Sequence, residues 1–182
     1  MIKIGITGSL ASGKTTASKI LSFRRGPLFS ADKAVKELYK KKHFKSLVSK
    51  RLKIKNNSQL KKSLKKLILT NKNSIKRLER IIHPLVRKKM KNFTSQNKNK
   101  KLLFYEIPLL IESKLMKNFN LVVFIKAKKQ LRLKRFLSKR GNKKLFNLLN
   151  NKQISDIKKI YITASGGPFL NKTISELKRV TV

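Results

Sequence analysis

Apolar residues in this chain gather in two ways. Three short runs are nearly unbroken: "IKIGIT" at residues 2–7, "LLFYEI" at 102–107 and "LVVFI" at 121–125. Such runs suit strands buried on both faces of a parallel sheet, where neither face turns toward water. A briefer run, Leu28 and Phe29, follows a turn at Gly26-Pro27. Elsewhere the apolar positions recur at helical spacing. Ala17, Ile20 and Leu21 predict a helix over 15–23, and another begins near Ala31. Residues 43–97 read as wholly helical, with one stripe at Leu60, Leu64, Leu67 and Ile68 behind a Ser58 cap and a second at Leu78, Ile81 and Ile82 behind Ser74. Pro84 is expected to end or kink the second stretch. A polar linker, "SQNKNKK" at 95–101, leads into the second strand, and a densely basic helix is predicted over 128–139. Strands alternating with helices predict an α/β fold, a three-layer sandwich with a parallel sheet, in one domain that carries a small helical insertion.

The first turn after the first strand changes the picture from fold to chemistry. "GSLASGKTT" places Gly8, Gly13, Lys14 and Thr15 in the spacing G-x-x-x-x-G-K-[ST]. Glycines let the backbone curl so that successive N–H groups face phosphate oxygens, the lysine reaches the β- and γ-phosphates, and the Thr15 hydroxyl ligates Mg²⁺. Gly8, Ser9, Leu10, Ala11, Ser12, Gly13, Lys14, Thr15 and Thr16 are therefore the expected nucleotide-binding residues, with Thr15 toward the metal. The competing reading is a plain glycine turn between two core elements, but the order strand, loop, helix is the one a P-loop requires.

Composition adds constraints. There is no cysteine, which excludes a disulfide framework or a thiolate metal site. "MIKIGITG" reads as a strand and not a signal peptide, and no apolar run approaches the ~18 residues of a membrane span, so a cytoplasmic protein is expected. The 48 Lys and Arg against 7 Asp and Glu give a net charge of +41, which attracts polyanions of every kind. The excess is spread along the whole chain, however, as in "KELYKKKHFKSLVSKRLKIK", and reads as compositional drift more than one basic face. Against such a background the few acids stand out. Only Asp32, Glu37, Glu79, Glu106 and Glu112 occur before residue 156. Asp32 falls at a strand's carboxyl end, where α/β sheets build their sites, although Asp is also a common helix cap.

Taken in order, "GITGSLASGKTTASKIL", "SADKAVKELY", "LERIIHPLV", "EIPLLIES" and "VVFIKAKKQLRLKRFLSKRG" resemble the dephospho-CoA kinase family over residues 1 to about 155. "IIHP" followed by "IPLLIE" is the most specific part. The resemblance implies a P-loop kinase sandwich: a core at 1–40 and 100–127, a helical acceptor-binding region at 41–99 and a basic lid at about 128–152. It implies ATP- and Mg²⁺-dependent phosphorylation of the ribose 3′-hydroxyl of dephospho-CoA, and a monomeric or weakly associated protein is expected. The family's D-x-D element falls on Ser30-Ala31-Asp32, so its second carboxylate is present and its first is serine. Asp32 is then the expected base for the attacking hydroxyl, and Lys14, Arg135 and Arg140 the cations on the transferring phosphate. The lid basic residues in this family are four apart; Arg135 and Arg140 are five apart, and Lys139 stands where an arginine is expected. His83, in the His-Pro element, is implied on the acceptor side, and Glu106 near the metal or the acceptor.

Residues 156–182 depart from that pattern. "TASGGPF" resembles a phosphate-contacting loop of 1-deoxyxylulose-5-phosphate reductoisomerase, so the tail reads as a foreign segment, too short to supply that activity. "KIYITA" within it is equally suited to a last strand on the kinase sheet. Two other functions remain open on sequence: another nucleoside or nucleotide kinase, and a basic nucleic-acid-binding protein with a vestigial P-loop.

Overall fold

The computed structural model describes residues 1–55, 59–139, 141–151 and 161–162. Its sheet has the order β2-β3-β1-β4-β5. The central strand, β1 (Ile2–Gly8), pairs in parallel with β3 (Leu102–Glu106) on one side and β4 (Leu121–Ile125) on the other, and β2 (Leu28–Ser30) extends the sheet in parallel beyond β3. The four parallel strands are flanked by helices, as an α/β sandwich requires. β5 (Tyr161–Ile162) joins the far edge antiparallel to β4. It lies inside "KIYITA", so this segment of the tail does serve the sheet; Ser58, Arg140 and residues 163–182 lie outside the described residues.

The strands form where the apolar runs are densest. β3 is buried at all five positions, and Ile4, Ile6, Leu103 and Phe104 have no exposed surface. Ile2, Ile4, Ile6, Leu21, Leu102, Phe104 and Leu121 make one core cluster beside β1. Helix α1 (Lys14–Ser22) packs on the sheet through Leu21 and the buried hydroxyl-bearing face at Ser18 and Ser22. Ile20, expected with Leu21 in the apolar stripe, is instead 52% exposed. Small Ser18 and Ser22 let the helix approach the sheet closely on the face that a larger apolar stripe would otherwise fill.

The chain divides into two compact units, residues 1–30 with 94–182, and residues 31–93. The second unit is helical: α2 (Ala31–Leu38), α3 (Lys42–Leu52), α4 (Leu60–Thr70) and most of α5 (Lys72–Gln96). Its core is Leu38, Phe44, Val48, Leu52 and Leu64, with Leu78, Ile81, Ile82, Leu85 and Val86 packed against it. Pro84 neither ends nor begins α5 but lies inside it. Proline removes one helical hydrogen bond, yet the apolar stripe continues past it through Leu85 and Val86 onto the same core, and that burial outweighs the lost bond. Ser74 is likewise internal and 2% exposed; the start of α5 is capped by Asn71, whose Oδ1 accepts the Asn73 N–H at 2.9 Å. In the first unit, the last turns of α5 are fixed by Thr94, whose hydroxyl shares a 2.8 Å hydrogen bond with the Tyr105 phenol on β3.

Phe104→Ala should lower unfolding free energy by about 3–5 kcal/mol, as for other buried phenylalanines, while Ile20→Ala should change it by less than about 0.5 kcal/mol. Urea unfolding of the two variants checks the assignment of the core.

Candidate active site

β1 ends at Gly8, and the loop over residues 8–15 begins there because the backbone cannot be replaced by anything bulkier. Gly8 has φ 149°, and a Cβ built on it would stand 2.3 Å from the Ile125 carbonyl of β4. Gly13, with φ 97°, starts α1 from the left-handed region. Between them Ala11 has φ 58°, unusual for a residue with a side chain. The Ser12 N–H donates to the Ser9 carbonyl at 3.1 Å and closes the loop on itself.

Three chemically distinct groups converge on this loop. Lys14 is 9% exposed, and its ammonium donates to the carbonyls of Gly8 (3.0 Å) and Ser9 (2.9 Å). These are neutral acceptors, so the positive charge is held at the loop without being cancelled by them. The Thr15 hydroxyl donates to Glu106 Oε1 at 2.5 Å. Glu106 is the last residue of β3 and only 1% exposed; it lies in register with Ile6 of β1 and Ser30 of β2, so the sheet itself fixes the carboxylate at the strand ends. Arg135, on α6 (Lys129–Ser138), reaches the loop from another direction: its Nη1 donates to the Ser12 carbonyl at 3.3 Å and lies 3.5 Å from where a Cβ on Gly13 would be.

The loop fits a triphosphate with its metal. Ser12 Oγ is buried with no hydrogen-bond partner among the described residues, an orphaned polar group inside the loop. The Thr15 hydroxyl and the Glu106 carboxylate are hard oxygen ligands of the kind Mg²⁺ takes, directly or through water. Among the described residues no cluster of three or more His, Cys, Asp and Glu occurs.

The other expected residues fall as follows. Asp32 occupies the first turn of α2, exposed, two residues after β2 ends at Ser30; a carboxylate is favourable at a helix N-terminus. His83 sits half-buried on α5. Its pKa is lowered below the ordinary histidine value, first by burial; Glu79 opposes the shift and Arg87 adds to it. Thr16 is exposed on the first turn of α1. Sequence reasoning missed Arg132, which is 4% exposed on α6 and donates from Nη1 to the Leu10 carbonyl of the loop at 3.3 Å. It also passed over Asn150, on α7 (Lys143–Asn150), whose Oδ1 accepts from the same guanidinium at 2.7 Å. With 48 Lys and Arg in the chain, one buried arginine carries no distinguishing signal.

A Walker-type loop on the central strand of a parallel sheet, with its buried lysine, a hydrogen-bonded Thr15–Glu106 pair and Arg135 bonded to its Ser12 carbonyl, defines a P-loop kinase fold. A dephospho-CoA kinase family profile matches residues 2–163. Dephospho-CoA kinases of Bartonella quintana and Rickettsia prowazekii are each 35% identical over 161 residues, covering 86% and 88% of this chain and 83% and 84% of theirs. The solved structures agree in fold: a Thermus thermophilus protein superposes with TM-score 0.71 over 98% of this chain and 95% of its own, and Campylobacter jejuni dephospho-CoA kinase with 0.55 over 98% and 96%, both at 24% identity. The chain belongs to the dephospho-CoA kinase family, and membership makes it an ATP-dependent phosphotransferase with ATP as donor and Mg²⁺ as its metal. Among the described residues no helix is long and apolar enough to cross a membrane.

Because the folded state holds His83 below its unfolded pKa, the unfolded chain binds the proton more readily. Its contribution is present in full above about pH 6.5 and is lost as pH falls below that value toward the lowered folded one. His83→Gln should therefore show a shallower fall in urea midpoint between about pH 7 and 5 than the parent protein; parallel curves would show that His83 carries none of that dependence.

Proposed function

We propose that this chain transfers the γ-phosphoryl group of ATP to the ribose 3′-hydroxyl of dephospho-CoA, with the residue roles that follow. The observation that carries the reading is the convergence of Lys14, the Thr15–Glu106 pair and Arg135 on one loop in a chain of this family. Lys14 exchanges its loop carbonyls for β- and γ-phosphate oxygens, which the buried site makes stronger partners. Thr15 and Glu106 would hold Mg²⁺, and the short hydrogen bond between them supports the metal side of the two roles expected for Glu106. Held there, Mg²⁺ would supply positive charge against that of the phosphates. Asp32 accepts the proton of the attacking 3′-hydroxyl; a bond forms from that oxygen to the γ-phosphorus as the bond from phosphorus to the β,γ-bridging oxygen breaks, and ADP leaves with the electron pair. Arg135, exposed and bonded through Nη1 to the Ser12 carbonyl, turns onto the transferring group; Arg140, outside the described residues, is assigned the same role from the family resemblance alone.

The helical unit offers chemistry that suits the acceptor. A groove of about 450 Å³ is lined by Arg51, Arg77 and Arg80 together with Leu47, Ile81, Pro84 and Leu85. Arg77 is oriented by its 2.8 Å hydrogen bond to the Arg51 carbonyl. Guanidinium groups match a diphosphate bidentately, and the apolar floor suits an extended pantetheine arm. Non-specific attraction of polyanions accompanies this activity, given the net charge of +41.

Purified protein incubated with dephospho-CoA, ATP and Mg²⁺ should yield CoA, detected by mass spectrometry. Lys14→Ala should lower the rate at least about 100-fold with the fold retained; undiminished turnover in that variant overturns the reading. Arg51→Ala and Arg80→Ala should each raise KM for dephospho-CoA by about tenfold, the scale of one lost charge-assisted hydrogen bond, and leave KM for ATP unchanged. A panel of nucleosides and nucleotides as acceptors tests the alternative kinase reading.

A further inference from the structure

We infer that Arg132 is a positioning residue that sets the phosphate-binding geometry of the P-loop, a role that rests on reading that loop as the ATP site. Arg132 is almost wholly buried, yet the partners it holds among the described residues are neutral. Its Nε donates to the Ala127 carbonyl at 3.1 Å, ahead of α6; its Nη1 donates to Leu10 O at 3.3 Å and Asn150 Oδ1 at 2.7 Å; and its guanidinium lies over the Phe146 ring, 5.8 Å from the centroid. One planar fork thus ties the P-loop to both helices of the basic lid.

The consequence for phosphate binding follows from peptide geometry. A trans peptide points its N–H opposite to its C=O. Arg132 draws the Leu10 carbonyl toward itself, so the Ala11 N–H is turned away from the guanidinium. One helical turn along α6, Arg135 draws the Ser12 carbonyl and turns the Gly13 N–H in the same manner. Among the described residues neither of these N–H groups has a partner, whereas the Ser12 N–H between them is spent on Ser9. Ala11, whose left-handed φ of 58° is disfavoured, lies between the two held carbonyls. The arginines therefore divide the work. Exposed Arg135 can leave the loop for the transferring phosphoryl group. Buried Arg132 stays, and keeps the Ala11 N–H presented while its neighbour moves.

The test is equilibrium binding of a fluorescent ATP analogue together with steady-state kinetics. Arg132→Lys keeps the charge but not the planar fork. It should weaken ATP binding and raise KM for ATP at least about tenfold, with KM for dephospho-CoA unchanged at saturating ATP. Asn150→Ala, a milder change at a partly exposed position of α7, should move the same two quantities in the same direction by a few-fold. Added guanidinium ion should restore ATP affinity to Arg132→Ala. Unchanged ATP affinity in folded Arg132→Lys and Asn150→Ala, or an equal rise in both KM values, overturns the proposal. Lys14→Ala is the reference: if it lowers ATP affinity and the Arg132 variants do not, only this inference fails, whereas if it too leaves affinity untouched, the ATP-site reading fails first.

Discussion

The parallel pairing of β1 between β3 and β4 is the constraint on which the rest depends. It buries the first strand on both faces and both edges, so the chain leaving Gly8 has one way out, at the carboxyl ends of the strands. The same pairing aligns Ile6, Glu106 and Ser30 in one row and brings the Glu106 carboxylate to the loop that β1 releases. A shift of two residues in the register of β3 would keep its apolar faces inside yet carry Glu106 away from Thr15. The placement of Glu106 against Thr15 and the sheet register are therefore one quantity in this protein, set by close packing of Ile4, Ile6, Leu103 and Phe104.

Much of this was legible in the residues because strands and P-loop announce themselves through strong local rules. Apolar runs at 102–107 and 121–125 had no competing explanation, and G-x-x-x-x-G-K-[ST] carries its mechanism in its spacing. The errors arose where a local rule met a tertiary contact. Of the two outcomes expected of Pro84, ending or kinking its helix, the first does not occur: the helix runs on through Leu85 and Val86, which pack on the core. Ser74 resembles a cap, but Asn71 lies three residues earlier and takes that position. Ile20 matched a helical stripe whose buried face belongs instead to Ser18 and Ser22.

Charge was the least readable property. Abundant lysine and arginine hide which cations matter, so Arg132 and Arg135 are distinguished only by depth: one is interior with a set of fixed acceptors, the other exposed on a single carbonyl. Scarcity works the other way for acids. Glu106 could be singled out in sequence because so few carboxylates remain, and its partner Thr15 was already marked by the loop pattern. What sequence could not supply was that the two share a hydrogen bond, since 91 residues separate them.

The short antiparallel strand at Tyr161–Ile162 has a consequence beyond closing the sheet. It lies alongside Leu121 and Val122 on the outer edge of β4. Without it, "LVVFI" would present an apolar, β-branched edge of the kind that templates the strands of other molecules. Two residues inside the family-matched region thus cover this edge of the sheet. A chain cut just before them would keep every nucleotide-binding residue described here and still be prone to precipitate.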